Sequence, residues 1–379
     1  MSSEATLLFG ETYHHPSIYW RTRFLAPDPI VYLETDEDRI LLVSPMEVHR
    51  ARVQGQIERV LSYEDFDFTA IQRGSSGSDD AYAQLIAALL RRFSILRVRV
   101  EPDCPVSVAR ALERRDIEVV SSGPIFATEM RSKSAAEVEA IRSSQQAAEN
   151  AMAVARDLLR HAEVRDGFLF HDGDALSSAT LIGAIEAELL RRGCGADGTI
   201  AAGGPASANP HVADSGHLEV DRSVIIDIFP QHKQTRYHGD ITRTYVVGQP
   251  SQMWLRMYEA VRDAHQAALA RLGAGVNGRE VHLAVCAALY EAGFSSLVDD
   301  YRRPGTPEMI HGTGHGVGLL VHEAPRISDL DMELREGDVV TIEPGLYHPD
   351  HGGVRLEDTV LVTAGGYRNL TDYSMEWRP

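Results

Sequence analysis

The sequence is poor in cysteine. Its 379 residues contain Cys104, Cys194 and Cys286 only, with no CxxC spacing. An odd, scattered set of this kind argues against a disulfide framework or a thiolate zinc site and fits a reducing compartment. Strongly basic runs are missing as well. The formal net charge is −18, and an anionic surface repels phosphate backbones, so no nucleic-acid partner is expected. No apolar run is long enough to cross a bilayer, and the opening MSSEATLLFGETYHHPS lacks a basic segment followed by a long apolar one. These absences predict a chain with no signal peptide and no membrane partner, working in the cytoplasm.

What is present describes a globular protein. Hydrophobic residues make up 44% and charged residues 24%. The length exceeds what one ordinary core accommodates and predicts two domains. Residues 1–130 read as alternating strands and helices. PIVYLET, RILLVSP, ILRVRVEP and IEVVSSG are β-type runs. MEVHRARVQGQIERVL, DDAYAQLIAALLRRF and CPVSVARALERR are helical, and RGSSGSDD is a polar loop. This alternation predicts an α/β layered unit. It carries no catalytic constellation; the neighbouring His14 and His15 are expected to be surface residues. Residues 131–379 open with two long helical patterns, the second stopping at Gly193. A Gly- and Pro-rich stretch follows, then two more helices, SQMWLRMYEAVRDAHQAALARL and GREVHLAVCAALYEAG, and glycine-rich β-runs to the end.

The second domain repeats itself. LEVDRSVIID ends on Asp227 and LREGDVVTIE on Glu343, each with a leucine nine residues before the acid. Asp240-Ile-Thr242 follows the first run and Glu357-Asp-Thr359 the second, and each leads into another β-run. Each half therefore predicts a hairpin with one carboxylate ending its first strand and one entering its second. A single acid at a strand end is an ordinary turn residue. Four acids closing apolar strands in a repeated pattern are costly to bury unless paired or metal-bound. Four carboxylates and one imidazole suit two divalent cations of intermediate hardness, which together activate water and polarise a carbonyl. The imidazole has candidates in HGTGHGVGLLVHE, where His311, His315 and His322 lie among four glycines, and in His211 of ANPHVADSG. Imidazole serves as a ligand or stabilises developing charge. For His232 and His238 an ordinary loop role is the better reading. Arg355 stands two residues before Glu357, and alternation along one strand puts both on one face. It either orients the carboxylates or forms a plain salt bridge.

NPHVADSG, IIDIFP, HGDITRTYVVG, HGTGHGVGLLVHEAP, TIEPGLY and GGVRLEDTVLV together resemble, in order, the creatinase/prolidase/methionine aminopeptidase group of pita-bread metallopeptidases, family M24. The resemblance covers roughly residues 130–379; residues 1–130 resemble more loosely the N-terminal domain of the Xaa-Pro aminopeptidase and prolidase branch. It implies a creatinase-like α/β domain over 1–130, followed over 131–379 by an α+β pita-bread catalytic domain with a pseudo-twofold repeat. It implies two divalent cations, Mn²⁺ first and Co²⁺ or Zn²⁺ as substitutes, held by Asp227, Asp240, His315, Glu343 and Glu357, with Asp240 and Glu357 bridging. His211 and His322 would contact substrate, Glu343 would help move a proton, and His311 and Arg355 would line or support the site. The implied reaction is cleavage before proline in short peptides by a homodimer. A metal-dependent hydrolase of a small non-peptide amide and a non-catalytic peptide-binding protein are the alternatives. Two departures stand out. Phe229 replaces the family's usual small residue two positions after the first aspartate. Asp227 and Asp240 lie thirteen residues apart instead of eleven, so QHKQTRYHG carries a two-residue insertion beside the site.

Overall fold

Short runs rich in Leu, Ile and Val form six strands near the start of the chain: β1 Glu4–Gly10, β2 Ile30–Glu34, β3 Arg39–Val43, β4 Arg59–Ser62, β5 Arg97–Val100 and β6 Glu118–Ser121. In the computed structural model, which describes residues 4–195 and 197–379, they make one mixed sheet in the order β4-β3-β2-β1-β5-β6. Alternation along each strand gives the sheet two apolar faces. Leu7, Val31, Leu33, Ile40 and Val98 pack with Leu85, Ile86 and Leu89 of the helix Ser78–Arg92. Leu8, Ile30, Tyr32, Leu41 and Val43 pack with Phe24 and Ala51 in a second core.

Four readings of this region change. The run MEVHRARVQGQIERVL is not one helix. The helix covers Val48–Gln54 and stops at Gly55, which is extended, and Arg59–Ser62 pairs in parallel with β3. Sheet pairing outweighs the modest helix propensity of a segment holding Val60 and Leu61. The polar loop is shorter than RGSSGSDD, because a helix Phe68–Gly74 runs into it and the next begins at Ser78. The strand β1 was not anticipated, yet it lies between β2, antiparallel, and β5, parallel. His15 is more than a surface group. Its ring packs against Gly10, and Nδ1 lies 2.8 Å from Asp103 Oδ2.

The chain divides into two compact units between Met130 and Arg131. The second unit runs through the same series twice. Helices Ala135–Arg160 and Ser178–Arg191 precede three antiparallel strands, Ile200–Gly203, Ser223–Ile228 and Ile241–Val246. Helices Gln252–Leu269 and Gly278–Glu291 precede strands Gly314–Gly316, Val339–Ile342 and Asp358–Thr363, in the same neighbour order. Each helix start has its cap. Ser134 and Glu137 form a reciprocal capping box, and Ser177, Ser251 and Asn277 accept from backbone N–H groups; each such cap is worth about 1 kcal/mol. Each half has its own core. Met152, Leu181 and Ile185 meet Ile226 and Ile228 in the first. Val261, Val281 and Val285 meet Val340, Ile342 and Val360 in the second. The repeat read from the sequence is thus a repeat of architecture, an α+β pita-bread unit.

Each half also carries an addition. Between the two helices of the first half, a meander of Glu163–Arg165, Phe168–His171 and Asp174–Ala175 turns at Asp166-Gly167 and Asp172-Gly173. All four turn residues have positive φ, as tight two-residue hairpin turns require. In the second half, Gly345–His348 and Gly352–Arg355 form a hairpin in a separate sheet, lying in the chain between Val339–Ile342, which Glu343 follows, and Asp358–Thr363, which Glu357 precedes. Arg355 and Glu357 therefore do not share one continuous strand.

Candidate metal centre

The apolar strands of both halves end where their acids begin. Asp227 is the fifth residue of Ser223–Ile228, directly opposite Thr242. Asp240 immediately precedes Ile241–Val246, Glu343 follows Val339–Ile342, and Glu357 precedes Asp358–Thr363. A cavity of roughly 710 Å³ opens at these strand ends, within the usual range for ligand sites. Asp227, Asp240, Glu343, Glu357, His211, His311, His315, His322 and Arg355 all line it. Every candidate residue read from the sequence is thus brought to one cavity. His232 and His238 are not among its lining residues.

The tightest group is Asp240, His315 and Glu357, whose ligand atoms all lie within 4.8 Å of one another. His315 Nε2 is 3.8 Å from Asp240 Oδ2 and 3.4 Å from Glu343 Oε1. Its Nδ1 donates to the Gly316 carbonyl at 3.2 Å, which leaves the Nε2 lone pair directed at the acids. Burial holds the ring neutral, with its pKa pushed down to about 3. Glycine is required beside it: a Cβ at Gly314 would stand 1.9 Å from the Thr341 carbonyl oxygen.

The carboxylates are held from behind. The Gln145 side chain accepts from Asp240 N at 2.7 Å and donates to Asp240 O at 3.0 Å. The two threonines of the repeat cross between halves. Thr242 Oγ1 donates to Glu357 Oε2 at 2.7 Å, and Thr359 Oγ1 to Asp240 O at 2.9 Å. Arg355 is buried; it donates from Nη2 to Asp227 Oδ2 at 2.6 Å, from Nε to Thr242 Oγ1 at 3.2 Å, and from Nη1 to the Tyr347 hydroxyl at 3.0 Å. That hydroxyl lies 2.8 Å from His311 Nε2, while His311 Nδ1 donates to Gly312 O. His311 is therefore neutral and accepts from Tyr347, its pKa lowered to about 4 by burial and by Arg355.

The electrostatics call for positive charge. Burial, then Glu357 and Asp227, push the Asp240 carboxyl well above its ordinary range. Burial and Glu343 do the same to Glu357. Burial raises Glu343 to about 7 even though Arg355 opposes it. One guanidinium cannot neutralise four clustered carboxylates, and unpaired buried charge is expensive. Asp227 Oδ1 is buried and has no hydrogen-bond partner among the described residues. Oxygen donors, one neutral imidazole and an orphaned carboxylate oxygen fit divalent cations of intermediate hardness.

His322 and His211 are exposed at the cavity wall. The His322 ring meets that of His315 edge to face, with centroids 4.3 Å apart.

Residues 139–364 match metallopeptidase family M24. The chain belongs to that family. Family membership implies divalent metal ions, and the donor set fits them. Over 180 residues the chain is 42% identical to a protein named Xaa-Pro dipeptidase from Pyrococcus furiosus, covering 47% of this chain and 48% of that one. The chain thus spans about half the length of the curated relatives it matches. Among solved structures, a prolidase from Pyrococcus horikoshii OT3 superposes with a TM-score of 0.80 at 27% identity, covering 99% of this chain and 96% of that chain. An X-Pro aminopeptidase from Thermotoga maritima shares the fold over the whole chain, at TM-score 0.81 and 22% identity.

Three further residues of the site are not assigned by the sequence pattern: Thr242 and Tyr347 behind the cavity wall, and Arg326 on it. Thr242 was visible as the repeated carboxylate-x-Thr but had no role. Tyr347, in TIEPGLY, carries no periodic signal. Arg326 follows Pro325, and its guanidinium has no hydrogen-bond or ion-pair partner among the described residues while it lines the cavity.

Proposed function

We propose that this protein is a dinuclear-metal exopeptidase that hydrolyses the bond between an N-terminal residue and a following proline. The observation that carries the reading is the gathering of Asp227, Asp240, His315, Glu343 and Glu357 around one cavity, with the histidine held neutral. Asp227, Asp240, His315, Glu343 and Glu357 would hold the two ions. When bound, such ions lower the pKa of water and polarise the scissile carbonyl.

The chain's own residues do the rest. Glu343, which lines the cavity beside His315, is suited to take the proton of the attacking water and return it to the departing proline nitrogen. His322 and His211 are positioned on the wall to meet the carbonyl and donate to the oxygen as it gains charge. Arg355 fixes Asp227, and Thr242 fixes Glu357 Oε2, so neither carboxylate reorients during turnover. The guanidinium of Arg326 suits the free carboxylate of a dipeptide, which favours dipeptides over longer peptides. We assign Mn²⁺ as the working metal because oxygen donors dominate. The three free cysteines support a cytoplasmic setting, and no described helix is long and apolar enough to cross a membrane. Assembly as a homodimer rests on the resemblance to the prolidase branch.

The test is to strip the protein with chelator, restore Mn²⁺, Co²⁺ or Zn²⁺ singly, and assay Xaa-Pro, Xaa-Pro-Xaa and Met-Ala-Xaa peptides. Metal-restored cleavage of the Xaa-Pro dipeptide is expected. An Arg326→Ala variant should raise KM for the dipeptide about tenfold with less effect on the tripeptide. Absence of any metal-restored cleavage before proline contradicts the reading.

A further inference from the structure

The strand Ser223–Ile228 presents one face to the cavity. Ile200 lies directly opposite Asp227 in the antiparallel register, so the two side chains share that face. Phe229 stands two residues after Asp227 and also lines the cavity, as do Ile200 and Pro210. A carboxylate of the proposed metal centre is thus bordered by an apolar wall of Ile200 and Phe229.

That wall is built to stay in place. Pro230 follows the phenylalanine, and Gln231–His232 pairs antiparallel with Cys194–Gly195. Behind the ring sits Gly198 at φ +98°; a Cβ there would be 3.3 Å from Phe229 Cζ, so the ring rests directly on glycine backbone. The longer hairpin is anchored too. Gln231 Nε2 donates to Leu319 O at 3.2 Å, and His238 N to Gly318 O at 2.8 Å, just beyond His315. His238 Nδ1 lies 3.3 Å from Phe229 O. The two extra residues therefore extend a docked hairpin, and Phe229 at its root is fixed from both sides.

We infer that Phe229, with Ile200, determines which N-terminal residue this enzyme accepts, selecting aliphatic side chains of modest size over aromatic and charged ones. This rests on the exopeptidase reading. The free ammonium of a peptide is drawn to the carboxylates, Asp227 among them. The first side chain leaves the backbone one bond from that ammonium and so falls against the neighbouring wall. An apolar wall leaves a charged side chain without a partner, and a fixed ring takes up the space an aromatic one would need. Differences of this size in an apolar site discriminate by roughly 10- to 200-fold.

The experiment compares wild type, Phe229→Ala and Phe229→Leu, all Mn²⁺-loaded. It measures kcat/KM for Ala-Pro, Leu-Pro, Phe-Pro, Asp-Pro and Lys-Pro. Calorimetric binding of free leucine and free phenylalanine gives a second readout that needs no turnover. Wild type should prefer Leu-Pro to Phe-Pro by about tenfold and disfavour Asp-Pro and Lys-Pro. Phe229→Ala should raise the Phe-Pro to Leu-Pro ratio by about tenfold, with Phe229→Leu in between and amino-acid binding in the same order. Should the alanine variant fail to fold, the leucine variant decides alone. An unchanged ratio in every folded variant overturns the inference. If wild type cleaves no proline dipeptide, the exopeptidase reading fails separately, and the amino-acid binding order still decides whether the wall selects.

Discussion

Arg355 donates from Nη2 to Asp227 Oδ2 at 2.6 Å, from a hairpin of the second half to a strand of the first. The other oxygen, Oδ1, is buried without a partner among the described residues. The arginine thus sets the carboxylate's orientation and leaves one oxygen for a cation. An Arg355→Ala variant should bind Mn²⁺ about 10- to 100-fold more weakly, measured by calorimetric titration. Arg355→Lys should recover only part of this, because a point charge cannot reach Asp227, Thr242 and Tyr347 together.

The metal-free protein should lose stability as pH rises through the weakly acidic range. Glu343 goes from its ordinary 4.5 up to about 7, and Asp240 and Glu357 are also raised. Between about pH 4.5 and 7 the folded state holds more protons than the unfolded state, so stability is full below this window and falls across it. Cations replace those protons. The Tm increase on adding Mn²⁺ should therefore be small at pH 5 and several degrees larger at pH 7.5, read by scanning calorimetry with and without metal. A metal-induced shift that shrinks with pH contradicts the assignment of these acids.

Removing one charge from the cluster should separate stability from binding. Asp240→Asn keeps the shape and abolishes a charge that the metal-free fold holds at a cost. Chelated at pH 8, this variant should melt above wild type, while Mn²⁺ should no longer raise its Tm. A variant that melts lower and still responds to metal would show that Asp240 is an ordinary structural acid.

The Tyr347 hydroxyl joins Arg355 to His311. Tyr347→Phe should lower kcat about tenfold, or roughly 1.4 kcal/mol of barrier. Its metal stoichiometry should stay that of wild type, since the phenol touches neither Asp240, His315 nor Glu357 through any hydrogen bond. Steady-state kinetics beside metal analysis checks both halves of this expectation.

The second unit was the more legible in sequence, and the reasons are physical. A buried carboxylate after an apolar strand is costly, so four of them in a repeated pattern carried a signal. The helix stop at Gly193 and the glycines around His315 added punctuation. What escaped lay in pairings that periodicity does not encode. The strand β1 is a short apolar run whose central place depends on partners at residues 30–34 and 97–100. Arg59–Ser62 looked like the tail of a helix until β3 paired with it. The Asp-Gly turns at 166–167 and 172–173 are hairpin signals, but the strands they join are only two to four residues long and lack a clear alternation. Tyr347 and Arg326 owe their positions to tertiary approach alone, as does the crossing of Thr242 to Glu357.

The central claim is that Asp227, Asp240, His315, Glu343 and Glu357 together hold two divalent cations. It is tested most directly by counting ions: the chelated protein is dialysed against micromolar Mn²⁺ and bound metal is measured per chain, for wild type and for Glu357→Gln. The account predicts two ions per wild-type chain and a loss of at least one in the variant. Wild-type protein that binds no stoichiometric metal, or a variant that binds as much as wild type, contradicts it.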